Sequence, residues 1–146
     1  MKKFFSVPVL LVAFLILSGN VYSQCNDQLQ TSCSGNIGSD YKYLKNFPVK
    51  LAKSSKDAPV SQKYQITLSG GTTYKFSACN ASELEGKVIV SLYNGFALVA
   101  TTYVAETKKH YPYIEFPCKM SGSYNLTFYF EDGKEGCAVC ILSQKN

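Results

Sequence analysis

Side chains able to do chemistry are few and scattered. Histidine occurs once, at His110, within His110-Tyr-Pro-Tyr-Ile-Glu-Phe116. Any Ser-His-Asp or Cys-His nucleophile would have to use it. Its place at the mouth of a strand reads instead as a surface histidine near a turn. Two acidic pairs, Glu83 with Glu85 and Glu131 with Asp132, could supply the acid and base of a glycosidase. The first pair falls in a polar loop and the second in the turn Glu131-Asp-Gly-Lys134, where adjacent acids are solvated or cap local backbone. That one acidic turn also falls far short of the oxygen count calcium requires. No phosphate-cradling glycine loop and no nucleophile elbow is present. The expectation is a protein that is not an enzyme, with no catalytic residue, no metal and no cofactor.

Cysteine is the other reactive type. Cys25, Cys33, Cys79, Cys118, Cys137 and Cys140 are all disulfide candidates. Cys137 and Cys140 are spaced like a redox pair. They lie in Gly136-Cys-Ala-Val-Cys-Ile-Leu-Ser143, which reads as a strand, where residues three apart point to opposite faces. A thioredoxin-like site would place them at the start of a helix, and zinc would want two such ligand pairs. Structural disulfides are therefore expected. Cys25 with Cys33 could close a small N-terminal loop, and Cys79 with Cys118 could join two strand ends.

The elements that carry these residues follow from period-two alternation. Residues 24–40 are polar and read as a loop or short helix held by cysteines. Tyr41 to Leu51 holds a first strand, interrupted at Pro48, and Lys53 to Val60 is a charged connection. Tyr64, Ile66 and Leu68 share one face; Gly70-Gly71 turns the chain; Tyr74 and Phe76 follow. Val88, Val90 and Leu92 form another inward set. Asn94-Gly95 is a strong hairpin signal, because both residues accept positive φ, and the run Phe96 to Val104 returns. Ile114 and Phe116 mark the next strand. Tyr124, Leu126, Phe128 and Phe130 give the clearest alternation. The last strand, Cys137 to Leu142, is apolar on both faces and belongs inside a sheet. Seven or eight short strands with regularly spaced turns indicate an all-β, jelly-roll-like antiparallel β-sandwich stapled by disulfides. No helical period and no fixed-length repeat is seen.

The same alternation leaves Tyr93, Tyr111, Tyr113 and Tyr129 pointing away from the core. Tyrosine offers a flat apolar ring with a wet hydroxyl, suited to stacking on sugars or anchoring protein contacts. These four form a candidate binding platform, with a protein or glycan at the cell surface as its partner. The alternatives are a small secreted hydrolase using an acidic pair, or a structural or inhibitor subunit whose edge strands pair with a partner. The lack of Trp weighs against the glycan. Asn80-Ala-Ser82 and Asn125-Leu-Thr127 match the glycosylation sequon.

Three segments carry a family resemblance. Tyr64-Gln-Ile-Thr-Leu-Ser-Gly-Gly-Thr-Thr-Tyr-Lys-Phe76 resembles the opening hairpin of bacterial pre-peptidase C-terminal domains. Val90-Ser-Leu-Tyr93 and Ser121-Gly-Ser-Tyr-Asn-Leu126 resemble two later strands of that family, in the same order. The likeness covers roughly residues 60–142. It implies a jelly-roll-like sandwich and an accessory, non-catalytic role beside secreted enzymes. This chain departs from the family by standing alone. It also has Asn94 at an often acidic position, and Ala105-Glu-Thr-Lys-Lys109 in place of an acid-rich loop. The calcium role of some relatives is therefore not expected.

The N-terminus places all of this outside the cytoplasm. Lys2 and Lys3 precede an apolar stretch from Phe4 to Leu17, then Ser18-Gly-Asn20 and Val21-Tyr22-Ser23. That is the layout of a signal peptide over residues 1–23, cut before Gln24. The run is shorter than the roughly 20 apolar residues of a spanning helix. Residues 24–59 then form a Cys-containing segment with the first strand, continuous with the sandwich core at 60–146. Export suits the cysteines, since disulfides persist in oxidising compartments. A secreted, periplasmic or cell-surface protein is expected, with no membrane association after cleavage. The formal charge is +5, and losing Lys2 and Lys3 takes it to +3. The remaining lysines are interspersed with acids, so no nucleic-acid partner is expected.

Overall fold

The computed structural model describes residues 27–146. The expected signal peptide and Cys25 lie outside the described residues. A helix, α1 (Asp27–Ser34), is followed by ten strands. These are β1 (Tyr41–Leu51), β2 (Gln62–Leu68), β3 (Thr73–Asn80), β4 (Val88–Asn94), β5 (Ala97–Thr101), β6 (Tyr103–Val104), β7 (Lys109–His110), β8 (Tyr113–Pro117), β9 (Gly122–Phe130) and β10 (Gly136–Lys145).

Eight strands make two sheets. One, here sheet A, runs β1-β10-β3-β8; the other, sheet B, runs β2-β9-β4-β5. All pairings are antiparallel: β1 with β10, β2 with β9, β3 with β8 and β4 with β5, besides β10 with β3 and β4 with β9. The first four pairs are nested, so the chain behaves as one long hairpin folded at the β4–β5 turn and rolled up. That is a jelly roll. The two-residue strands β6 and β7 pair only with each other, as a small excursion inside the nest.

Alternation dictates the core. Phe47, Val49, Leu68, Phe76, Val90, Leu92, Leu126, Phe128 and Phe130 are nearly fully buried between the sheets. β10 is apolar on both faces and sits between β1 and β3, as its sequence requires. Its inward side chains Ala138, Cys140 and Leu142 join the main core. Its outward Val139 and Ile141 form a second cluster with Cys33 of α1 and Ile37 just beyond it. Pro48 does not interrupt β1: it pairs with Val139, and the irregularity falls earlier, between Tyr43 and Lys45. Proline is tolerated because β1 is an edge strand, where a missing N–H can face away from the ladder.

The disulfide pattern differs from the expected one. Cys33 bonds to Cys79, with Cα atoms 5.8 Å apart. Cys137 is also in a disulfide, whereas Cys118 and Cys140 are buried free thiols. Strand parity explains this. Cys79 lies on the outward face of β3, packed against the α1 cluster, while Cys118 belongs to the inter-sheet core. Two cysteines on opposite faces of a sheet cannot bond. Cys137 and Cys140 likewise separate to opposite faces, and burial pushes the Cys140 thiol far up, so it stays protonated.

Candidate functional site

Sheet B leaves only part of its outer face open: on β4 the outward Ile89 and Ser91 are buried. Alternation on β9 puts Asn125, Thr127 and Tyr129 outward, since Tyr124, Leu126, Phe128 and Phe130 point in. Pairing with β4 places Tyr93 opposite Asn125 and Ser91 opposite Thr127. A groove of about 430 Å³ runs over Tyr93, Asn125, Thr127 and Tyr129, walled by Pro59, Ser61 and Lys63 on one side and by Gly95 and Phe96 on the other. Burial raises the Tyr129 hydroxyl above the ordinary tyrosine range, with a further contribution from Tyr93. The Tyr129 hydroxyl therefore stays a neutral donor through physiological pH.

The hairpin at the end of this groove is its least expected part. Asn94 is not a turn residue. It pairs with Ala97, so the two-residue loop is Gly95-Phe96. Gly95 takes φ +59, and a positive φ at the first loop position is the conformation glycine supplies in hairpins of this kind. The second loop position then belongs to Phe96, which stands free in solvent at 106% of its reference exposure. Leu98 and Val99 on the returning strand are exposed at 52% and 39%. Turn positions are normally polar. An aromatic there, with two aliphatics behind it, was hidden in the sequence by the expectation that Asn94 opens the turn. The signal was the Phe directly after the glycine.

Of the four candidate tyrosines, the structure brings Tyr93 and Tyr129 together and places the others elsewhere. Tyr113 lies on β8 of sheet A, paired with Ser77. Its ring is 4.3 Å from the Lys75 ammonium, which also lies 4.9 Å from the Tyr41 ring and donates to the Ile37 carbonyl at 3.1 Å. Tyr41 in turn donates to Glu115 at 2.5 Å. Tyr113 thus belongs to a weave that ties the α1 segment down. Tyr111 lies between β7 and β8 under the Lys109 ammonium, 4.8 Å from its ring centre. Of the two sequons, Asn125 lies within the groove, and the Asn80 Oδ1 accepts from the Val88 amide at 2.8 Å.

The acidic residues do not converge on one another. Tyr103 donates to Glu131 Oε1 at 3.0 Å, and His110 Nε2 lies 2.9 Å from Glu131 Oε2. The Tyr103 and His110 rings are 4.7 Å apart. His110 is thus half-buried rather than a free surface residue. Burial disfavours the Glu131 carboxylate, but the hydrogen bonds from His110 and Tyr103 outweigh it and hold its pKa below the usual range. Asp132, with φ +57, turns away toward Lys56 at 3.6 Å. Glu85 lies 3.8 Å from Lys134. This arrangement pins the β6–β7 excursion to the β9–β10 turn. Among the described residues, no group of three or more His, Cys, Asp or Glu is placed to hold a metal ion. No helix among them is long and apolar enough to cross a membrane.

No family model matches the chain, and no curated protein matches it. Among solved structures, the chain is similar to PliG from Aeromonas hydrophila, a periplasmic lysozyme inhibitor of g-type lysozyme. The TM-score is 0.48 and the identity 11%, over 74% of this chain and 89% of that one.

Proposed function

We propose that this chain is an exported, non-catalytic module that binds a protein at the cell surface through the outer face of sheet B. The observation that carries the reading is Phe96, held in full solvent on a two-residue turn at the end of the Tyr93–Tyr129 groove. Burying a phenylalanine side chain contributes roughly 1.5–3 kcal/mol. A tight hairpin presents it already ordered, so little of that is lost to immobilising the loop. An apolar knob beside a tyrosine-lined groove matches the aromatic anchors that dominate protein interfaces. Phe96, Leu98 and Val99 favour a protein over a glycan, because a sugar offers only its ring faces to apolar groups. Catalysis is disfavoured by the chemistry of the acids. Glu131 is engaged by Tyr103 and His110, and Asp132 faces Lys56, so neither is paired with the other across a substrate site.

The test is a photo-crosslinking residue at Tyr129, introduced into the exported protein in its own host, followed by mass spectrometry of the adduct. The captured protein is then purified and titrated. Phe96→Ser and Tyr129→Ala should each weaken binding at least tenfold, whereas Tyr113→Ala should leave it unchanged. Equal binding by all three variants would remove the groove from the proposal. Capture of glycan alone would select the sugar reading, and a hydrolytic activity lost on Glu131→Gln would replace binding with catalysis.

A further inference from the structure

The free edges of the two sheets are protected unequally. Edge strands invite pairing with another chain and are normally blunted by charge, proline or shortness. β1 carries Lys42, Lys45, Lys50 and Pro48; β2 carries Lys63; β8 holds Glu115 and ends on Pro117. β5 is different. From Phe96 to Thr102 the sequence is Phe-Ala-Leu-Val-Ala-Thr-Thr, without charge, proline or glycine. This is the composition of a segment that seeks a neighbouring strand. Its ladder runs to β4 on one side only. Like β8 it is five residues long, and a bulge leaves Val99 unpaired between Leu98 and Ala100, but neither brings charge to this edge, and Ala97, Leu98 and Val99 remain exposed.

We infer that the β5 edge is occupied by β5 of a second copy of this chain, antiparallel and related by a two-fold axis. Charge decides between this partner and others. Association of different proteins is steered by complementary charge, and β5 has none to offer. A second copy meets it with matching apolar side chains. Two-fold pairing through β1 or β2 would instead set lysines against lysines. Antiparallel pairing within one sheet puts the axis normal to that sheet, so β2-β9-β4-β5 continues into its mirror order. Closed two-fold contacts of this self-complementary kind are the commonest homo-oligomeric arrangement. The two grooves then open on the same side, giving a bivalent surface whose avidity exceeds that of one groove. That last consequence rests on the groove being a binding site; the dimer itself does not.

Sedimentation equilibrium separates the two. The wild-type protein should show a reversible, concentration-dependent dimer. Val99→Lys and Val99→Glu should each weaken it at least tenfold while keeping the wild-type melting temperature. An equimolar mixture of the two variants should recover it, because the opposite charges then face each other across the axis. Lys42→Glu on the β1 edge should leave the dimer unchanged. A wild-type chain that stays monomeric at millimolar concentration overturns the inference, as does loss in both variants without recovery in the mixture. A monomer whose Val99→Lys variant loses the cross-linked protein partner would assign the edge to that partner instead, again overturning the second copy. None of these outcomes depends on Tyr129→Ala, which tests the groove alone.

Discussion

The two sheets turn opposite kinds of outer face to their surroundings. Outward from sheet A, β10 carries Val139 and Ile141, fully buried under the α1 segment and stapled by Cys33–Cys79. Outward from sheet B, β9 carries Asn125, Thr127 and Tyr129, which line a groove open to solvent. The difference starts in the sequence of the two strands. A strand apolar on both faces needs a cover on each side. A strand that alternates large apolar residues with Tyr, Thr and Asn needs only one. Sheet A is therefore covered along β10, whereas sheet B is covered over β4, where Ile89 and Ser91 are buried, and open along the β9 groove.

The largest expected effect comes from removing that staple. Cys33 and Cys79 are 46 residues apart, and closing a loop of that size restricts the unfolded chain by about 4 kcal/mol. The double variant Cys33→Ala/Cys79→Ala should lose most of that in urea denaturation, followed by circular dichroism. A loss under about 1 kcal/mol would mean that packing alone holds α1. Ile141→Ala comes next. It opens a cavity under α1 and should cost about 2–5 kcal/mol. Tyr129→Ala, at an outward position of the other sheet, should cost well under half as much in the same assay. Equal losses would erase the contrast between the faces.

Strand parity was legible in the sequence wherever the alternation was long. It identified the inward sets of β2, β4 and β9, the interior place of β10 and the opposite orientation of Cys137 and Cys140. The expected Cys79–Cys118 bond failed because a place at a strand end does not say which face of the sheet each cysteine occupies. Cys79 follows Phe76 by three residues and so must face outward, a deduction the sequence already allowed. Grouping Tyr111 and Tyr113 with Tyr93 and Tyr129 required knowing which strands share a sheet, and alternation carries no such information. The turn was displaced by one residue because a hairpin's register depends on which residues pair across it. Asn94 accepts positive φ, but its pairing with Ala97 left that role to Gly95.

Smaller effects should appear in the pH dependence, and they differ between the faces. Tyr41, on the covered side, is pushed up to about 12 by its hydrogen bond to Glu115, then by burial and the nearby negative charge. A raised folded pKa favours the protonated form. Its stabilisation is complete below pH 10 and is lost as pH rises from there through about 12. Tyr41→Phe should flatten the alkaline limb of a melting-temperature profile. Glu131, which pins the β6–β7 excursion, has a lowered pKa, so its contribution is present above the ordinary carboxylate range and lost as pH falls through the depressed value. Glu131→Gln should flatten the acid limb, with a smaller change on the alkaline limb, where Tyr103 is held above its ordinary range by burial and by this carboxylate. A swap of these two limbs would contradict the hydrogen bonds on which both assignments stand.

The smallest expected change in stability is at the hairpin tip. Phe96 is fully exposed, so Phe96→Ser removes no buried contact and should stay within about 0.5 kcal/mol of the parent. The melting temperature could even rise, because serine suits a turn better than phenylalanine. A loss approaching that of Ile141→Ala would show that the ring packs against the sheet in solution, leaving the groove without its anchor. Unchanged stability together with weakened partner binding is the combination that separates a residue kept for recognition from one kept for folding. Ile141 should give the reverse at the outer face of the other sheet. Measured together, the two substitutions test whether the covered face serves the fold and the open face serves the partner.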